Sequence, residues 1–156
     1  MKEREYCFKT KNLMKSLKYC EENGFVLKDE SEQIRTIFRK SDKTMARITI
    51  EKKQNNTKCF LDFKEDKLTD LPLNIREESK SLEFFDLDAV YSILNFLNYT
   101  KDNILKRKRW TFVKGKVICE IDLYDGKDDE IVVSVEGEDI GNVDETYFKF
   151  VNYMED

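Results

Sequence analysis

From its third residue the chain alternates: Glu3, Glu5 and Cys7 fall on one side, Arg4, Tyr6 and Phe8 on the other. That is the period of a β-strand, so 3–9 is predicted as one. The interval changes after Asn12, where Leu13, Met14, Leu17 and Cys20 recur at helical spacing, with Asn12 as cap and Asn23-Gly24 as stop. Residues 25–40, with Ile34 and Phe38 among polar neighbours, predict one or two strands, and SDKT a turn. Alternation returns in MARITIEK (45–52), where Ala46, Ile48 and Ile50 oppose Arg47, Thr49 and Glu51. Across QNNT, the segment KCFLDFKE (58–65) is predicted to pair back as a hairpin.

The single proline, Pro72, breaks the chain before a strand around NIREESK, in which Arg76, Glu78 and Lys80 share a side. A helix fits 86–98, capped by Asp86, with Leu87, Val90, Tyr91, Leu94 and Leu97 in one stripe. LKRKRWTF and KVICEIDLY form a predicted hairpin across a Lys-Gly turn, and EIVVSVEGE adds a strand. A last amphipathic helix is expected from about Asp144, with Tyr147, Phe148, Val151 and Met154 inward. Antiparallel strands with a few helices define an α+β class.

Composition changes this picture in one respect. Charged residues make up 38% of the 156 positions, against roughly a quarter in ordinary soluble domains, so part of the charge belongs inside. The length and the absence of a linker-like stretch predict a single domain over 1–156. A net charge of −4 gives no general attraction to nucleic acid. The basic run at 106–109 beside Trp110 does not alter this, because alternation sends Lys106 and Lys108 away from Arg107 and Arg109. No run nears the roughly 20 apolar residues of a membrane span, and the N-terminus is charged, so no membrane partner and a cytoplasmic location are expected. Cys7, Cys20, Cys59 and Cys119 lack CxxC pairing and are expected as thiols. The chain has no histidine, which excludes a Ser-His-Asp triad, a Cys-His dyad and an HExxH zinc site. Catalysis would have to rest on carboxylates, lysine or a metal on oxygen ligands.

The polar strand faces separate by sign. Arg47, Lys64, Arg76, Arg107 and Arg109 are basic; Glu3, Glu5, Glu78, Glu120, Asp122, Glu136 and Glu138 are acidic. The guanidinium fork matches phosphate oxygens, and carboxylates without imidazole or thiolate suit Mg²⁺ or Mn²⁺. Both signs facing one cavity would receive a metal-bound polyphosphate.

In these residues the sequence resembles the CYTH proteins of the triphosphate tunnel metalloenzyme superfamily, over nearly its whole length. Glu3 and Glu5 match the opening ExExK, with Cys7 in place of the lysine. MARIT resembles the RxR strand, with Thr49 for the second arginine, and LDFK resembles LTxK through Lys64. REESK keeps Arg76 and Glu78 of RxExE and has Lys80 for the last acid. KRKRWTFVKGKVICEIDLYDG places Arg107 and Arg109 at KxR and Glu120 and Asp122 on the acidic strand. Glu136 and Glu138 have the spacing of the final ExE.

The resemblance implies a closed antiparallel β-barrel of about eight strands, a triphosphate tunnel with helices packed outside. It implies Mg²⁺ or Mn²⁺ held among Glu3, Glu5, Glu78, Glu120, Asp122, Glu136 and Glu138, with Glu3, Glu5 and Asp122 catalytic. Phosphates would be bound by Arg47, Lys64, Arg76, Arg107 and Arg109. The implied partner is a small molecule containing a triphosphate; a homodimer is left open. The implied activity is hydrolysis of an organic or inorganic triphosphate. The alternatives are conversion of ATP to cyclic AMP and pyrophosphate, or binding of a phosphorylated ligand without turnover. Removing one acid, by Glu3→Gln or Asp122→Asn, is expected to leave the melting temperature unchanged or raised, because like charges would repel.

Overall fold

The computed structural model describes the backbone of residues 2–68, 73–126 and 130–156, and of these the side chains outside positions 2, 66–68 and 73–77. The elements in chain order are β1 (Lys2–Thr10), α1 (Leu13–Glu22), β2 (Val26–Arg39), β3 (Thr44–Lys53), β4 (Asn56–Leu68) and β5 (Leu73–Glu78). There follow β6 (Leu82–Phe84), α2 (Leu87–Phe96), β7 (Thr100–Lys114), β8 (Val117–Tyr124), β9 (Ile131–Gly137) and α3 (Ile140–Glu155). The break expected at Pro72 lies outside the described residues.

Local chemistry sets most of the boundaries. The Asn12 side chain accepts from the Lys15 amide at the start of α1, and Asp86 accepts from that of Ala89 at the start of α2. Two expectations are corrected. Helix α3 starts at Ile140 and not near Asp144, because Asp139 caps it by accepting from the Asn142 amide. Phe148 is exposed, since the inward stripe runs through Val143, Tyr147, Phe150 and Met154 at helical intervals. Strand β6 was not foreseen: three residues are too few to show a period.

Among the described residues nine strands form one antiparallel sheet in the order β3-β2-β7-β8-β9-β1-β5-β4-β6, with a further pairing of β3 on β4. This sheet overturns the closed barrel of about eight strands. It is not a continuous hydrogen-bonded cylinder, because six-residue β5 is the link between β1 and β4. Its partners are Lys2–Tyr6 on β1 and Lys64–Leu68 on β4. Beyond them, among the described residues, Cys7–Thr10 of β1 pair with β9, and β4 takes β6 on that edge through Cys59–Leu61. Among the described residues the wall is split along one side, because the six described residues of β5 cannot bridge neighbours of nine and thirteen.

The helices cover the apolar face in two patches. Helices α1 and α3 bury Tyr19, Cys20, Val143 and Phe150 against Cys119, Ile121, Val133 and Val135. Helix α2 brings Val90 and Leu94 onto Phe38, Ala46 and Ile48. Burying each such aliphatic or aromatic side chain contributes about 1.5–3 kcal/mol. Period two then turns the alternate residues, Glu120 and Asp122 among them, to the opposite face. Arg4 fixes α3 to β1 by donating to both Asp144 oxygens at 3.1 and 2.9 Å, and the Tyr6 hydroxyl joins it at 2.8 Å. Among the described residues no helix is long and apolar enough to cross a membrane.

Candidate functional site

The polar faces meet in a pocket of about 380 Å³. Strand β1 contributes Glu5 and Cys7, β3 Arg47, and β4 Asp62 and Lys64. Glu78 ends β5, Arg107 and Arg109 come from β7, Glu120 and Asp122 from β8, and Ser134 and Glu136 from β9. Three expected site residues are placed otherwise. Glu3 is half-buried on β1 but does not line the pocket. Arg76 stands opposite Glu3 in the strand register, and its side chain lies outside the described residues. Glu138 is exposed beyond the end of β9, because Gly137 turns the chain away toward α3.

The basic groups are held by acids on neighbouring strands. Arg109 donates through Nε and Nη2 to the two oxygens of Asp122 at 2.7 and 2.8 Å, and its Nη1 is 2.6 Å from Glu120. Arg47 makes the same fork with Asp62 and lies 3.4 Å from Glu78. Arg107 donates through Nε to Gln33 at 2.9 Å and through Nη1 to the Tyr124 hydroxyl at 3.0 Å, with Asp122 at 3.4 Å. Its Nη2 is buried with no hydrogen-bond partner among the described residues. Cys7 lies 3.4 Å from Glu5 through its thiol.

The acids form a second group. Glu5 and Glu136 are direct cross-strand partners, and Glu120 lies on β8 next to β9. Burial, the Glu120 charge and hydrogen bonds to Glu120 and Glu5 push the Glu136 carboxyl well above its usual range. Glu120 is held down to about 2 in spite of burial, by the Arg109 guanidinium first and then by its hydrogen bond with Glu136. Carboxyls so close do not all ionise together, and Glu136 is the one whose neutral form is favoured.

The expected seven-acid metal shell is not gathered. Glu78 is turned to Arg47, Asp122 to Arg109 and Arg107, and Glu138 is exposed and does not line the pocket. Among the described residues no three acidic or cysteine side chains form a ready cage for a metal ion. The oxygen-only set Glu5, Glu120 and Glu136 still fits Mg²⁺ or Mn²⁺ chemically. Such ions usually take one or two carboxylates and complete their shell with substrate phosphates.

Sequence reasoning did not include Arg35, Gln33, Tyr124 or Asp62 among the site residues. Arg35 and Tyr124 line the pocket, and Gln33 and Asp62 orient Arg107 and Arg47. The signal for Arg35 was the buried, apolar Phe38 on β2: period two places Gln33, Arg35 and Ile37 on the side opposite to it.

No protein-family model matches the chain, and no curated protein matches it. Solved structures do. A conserved hypothetical protein from Pyrococcus furiosus superposes with a TM-score of 0.76 at 21% identity, over 98% of this chain and 90% of that one. A candidate adenylyl cyclase from Hippeastrum, described as revealing a dominant triphosphatase activity, gives 0.68 at 13% over 98% and 88%. A candidate adenylate cyclase from Vibrio parahaemolyticus gives 0.69 at 12% over 98% and 88%. At these identities the likeness shows the fold. It is consistent with the CYTH and triphosphate tunnel metalloenzyme resemblance carried by the strand motifs.

Proposed function

We propose that this protein is a divalent-metal-dependent enzyme that cleaves a phosphoanhydride bond of a triphosphate held in the charged pocket. The observation that carries the reading is one pocket in which four arginines, Arg35, Arg47, Arg107 and Arg109, and Lys64 face a carboxyl group of three. Arg47, Lys64, Arg107 and Arg109 bind the phosphate chain, and Asp62 and Asp122 keep two of those forks aimed before the ligand arrives. Glu5, Glu120 and Glu136 would hold Mg²⁺ or Mn²⁺. When bound, the ion supplies neutralisation of the charge that develops on the transferring phosphoryl group. Catalysis by positioning and charge needs no histidine.

A second reading, cyclisation of ATP, is favoured by the apolar part of the lining. Ile37, Met45, Leu105 and Val132, with Tyr124, offer a surface to an organic group attached to the phosphates. The neighbours described as adenylate cyclases agree with it.

The test is turnover of tripolyphosphate, thiamine triphosphate and ATP, with Mg²⁺ or Mn²⁺ and with a chelator, following phosphate, pyrophosphate and cyclic AMP. Metal-dependent release of phosphate is the expected result, and cyclic AMP with pyrophosphate would select the second reading. Binding of tripolyphosphate with no turnover under any condition would leave a non-catalytic receptor and sink the enzymatic proposal.

A further inference from the structure

The motif strand on β3 offers Thr49 where a second arginine is expected, which removes one phosphate contact from the site. The structure brings another cation to that place. Arg35 on β2 is the direct cross-strand partner of Thr49, and its Nε donates to the Thr49 hydroxyl at 3.3 Å. Its side chain lines the same pocket as Arg47, Arg107 and Arg109.

We propose that Arg35 is a phosphate-binding residue, standing in from the neighbouring strand for the arginine that Thr49 replaces and gripping the triphosphate together with Arg107. This deepens the reading above and rests on it.

Three observations support it. Arg47 and Arg109 each have acid partners, whereas among the described residues no carboxylate lies within ion-pair distance of Arg35. Among the described residues Arg107 Nη2 is buried without a partner, so Arg107 keeps a donor for an incoming anion. Arg35 also pays for its place: burial, then the charges of Arg107, Arg47 and Arg109, outweigh the attraction of Glu120 and press its pKa down to about 9, still far above neutrality. A guanidinium kept among three others, with no described acid at ion-pair distance, is unfavourable until an oxyanion arrives. The Thr49 hydroxyl fixes the stem and leaves the fork's other donors available, which an arginine at position 49 would not do.

The experiment is calorimetric titration with inorganic tripolyphosphate in the presence of a chelator, which prevents turnover, together with thermal melts of the ligand-free proteins. Arg35→Met should weaken binding about tenfold or more, the size of a lost charge-assisted contact. Its melting temperature should equal or exceed that of the parent, because repulsion is relieved. Exchanging the pair, Arg35→Thr with Thr49→Arg, should bring affinity back to within a few-fold of the parent. Unchanged binding by Arg35→Met, or lowered stability with binding intact, would overturn the proposal and leave the reading of the pocket standing. Failure of the parent itself to bind tripolyphosphate would overturn both. Should Arg35→Met not fold, Arg35→Lys decides: it keeps the charge but loses the fork, so severalfold weaker binding is expected and parent-like binding overturns the role.

Discussion

Two acids of the pocket, Glu136 and Asp122, should respond to neutralisation in opposite ways. Glu136 is a carboxyl whose folded pKa is raised above the ordinary 4.5 by burial and by Glu120 and Glu5. The folded state then binds more protons than the unfolded, so stability is lost as pH rises above about 4.5 toward the folded value. Glu136→Gln fixes the neutral form, and its gain in melting temperature over the parent should be larger at pH 8 than at pH 4.5. Glu120 behaves in reverse: held down to about 2, it contributes stability above its unfolded pKa that is lost as pH falls from about 4.5 to 2. Asp122 corrects the expectation drawn from sequence. It is bound by Arg109 through both oxygens, so Asp122→Asn breaks a buried pair and should cost about 2–4 kcal/mol at pH 8. Melts of the two variants that move in the same direction at pH 8 would refute this assignment of partners.

At the scale of elements, the end of β9 decides which acids reach the pocket. Gly137 has φ +155°, and a Cβ there would stand 2.5 Å from the Lys116 carbonyl oxygen, with a Val143 methyl at 3.4 Å. Backbone cannot yield as a side-chain tip can, so Gly137→Ala should destabilise the fold by about 1–3 kcal/mol in urea titration. A variant as stable as the parent would mean that the turn between β7 and β8 gives way easily there. The same close approach diverts the chain before Glu138, which is why the spacing Glu136-x-Glu138 suggested two ligands and the structure supplies one pocket residue. The predicted strands and helices were legible because period and capping are local. Strand β6 and the early start of α3 were not, since one depends on an edge that β4 leaves open and the other on a cap outside the apolar stripe.

At the scale of the whole molecule, the pocket gathers cations from β2, β3, β4 and β7. A polyanion that binds the folded state alone must raise its stability. At a concentration of 100 times Kd the gain is about 2.7 kcal/mol, which for a chain of this size is roughly 5–10 °C in melting temperature. Calorimetric scans with tripolyphosphate should show that rise, and added salt should diminish it by screening. An equal rise with sulfate at the same concentration would argue against a site shaped for a phosphate chain.

Alternation along single strands was enough to give an antiparallel sheet covered by helices on its apolar face, and to put Glu5, Arg47, Lys64, Glu78, Arg107, Arg109, Glu120, Asp122 and Glu136 on the polar face, because the side a residue faces is a local property. Which strands neighbour one another, and in what register, is not local. Only the tertiary structure could set Arg35 against Thr49, join Glu5 to Glu136, bind Asp122 into the Arg109 fork and link β1 to β4 through β5.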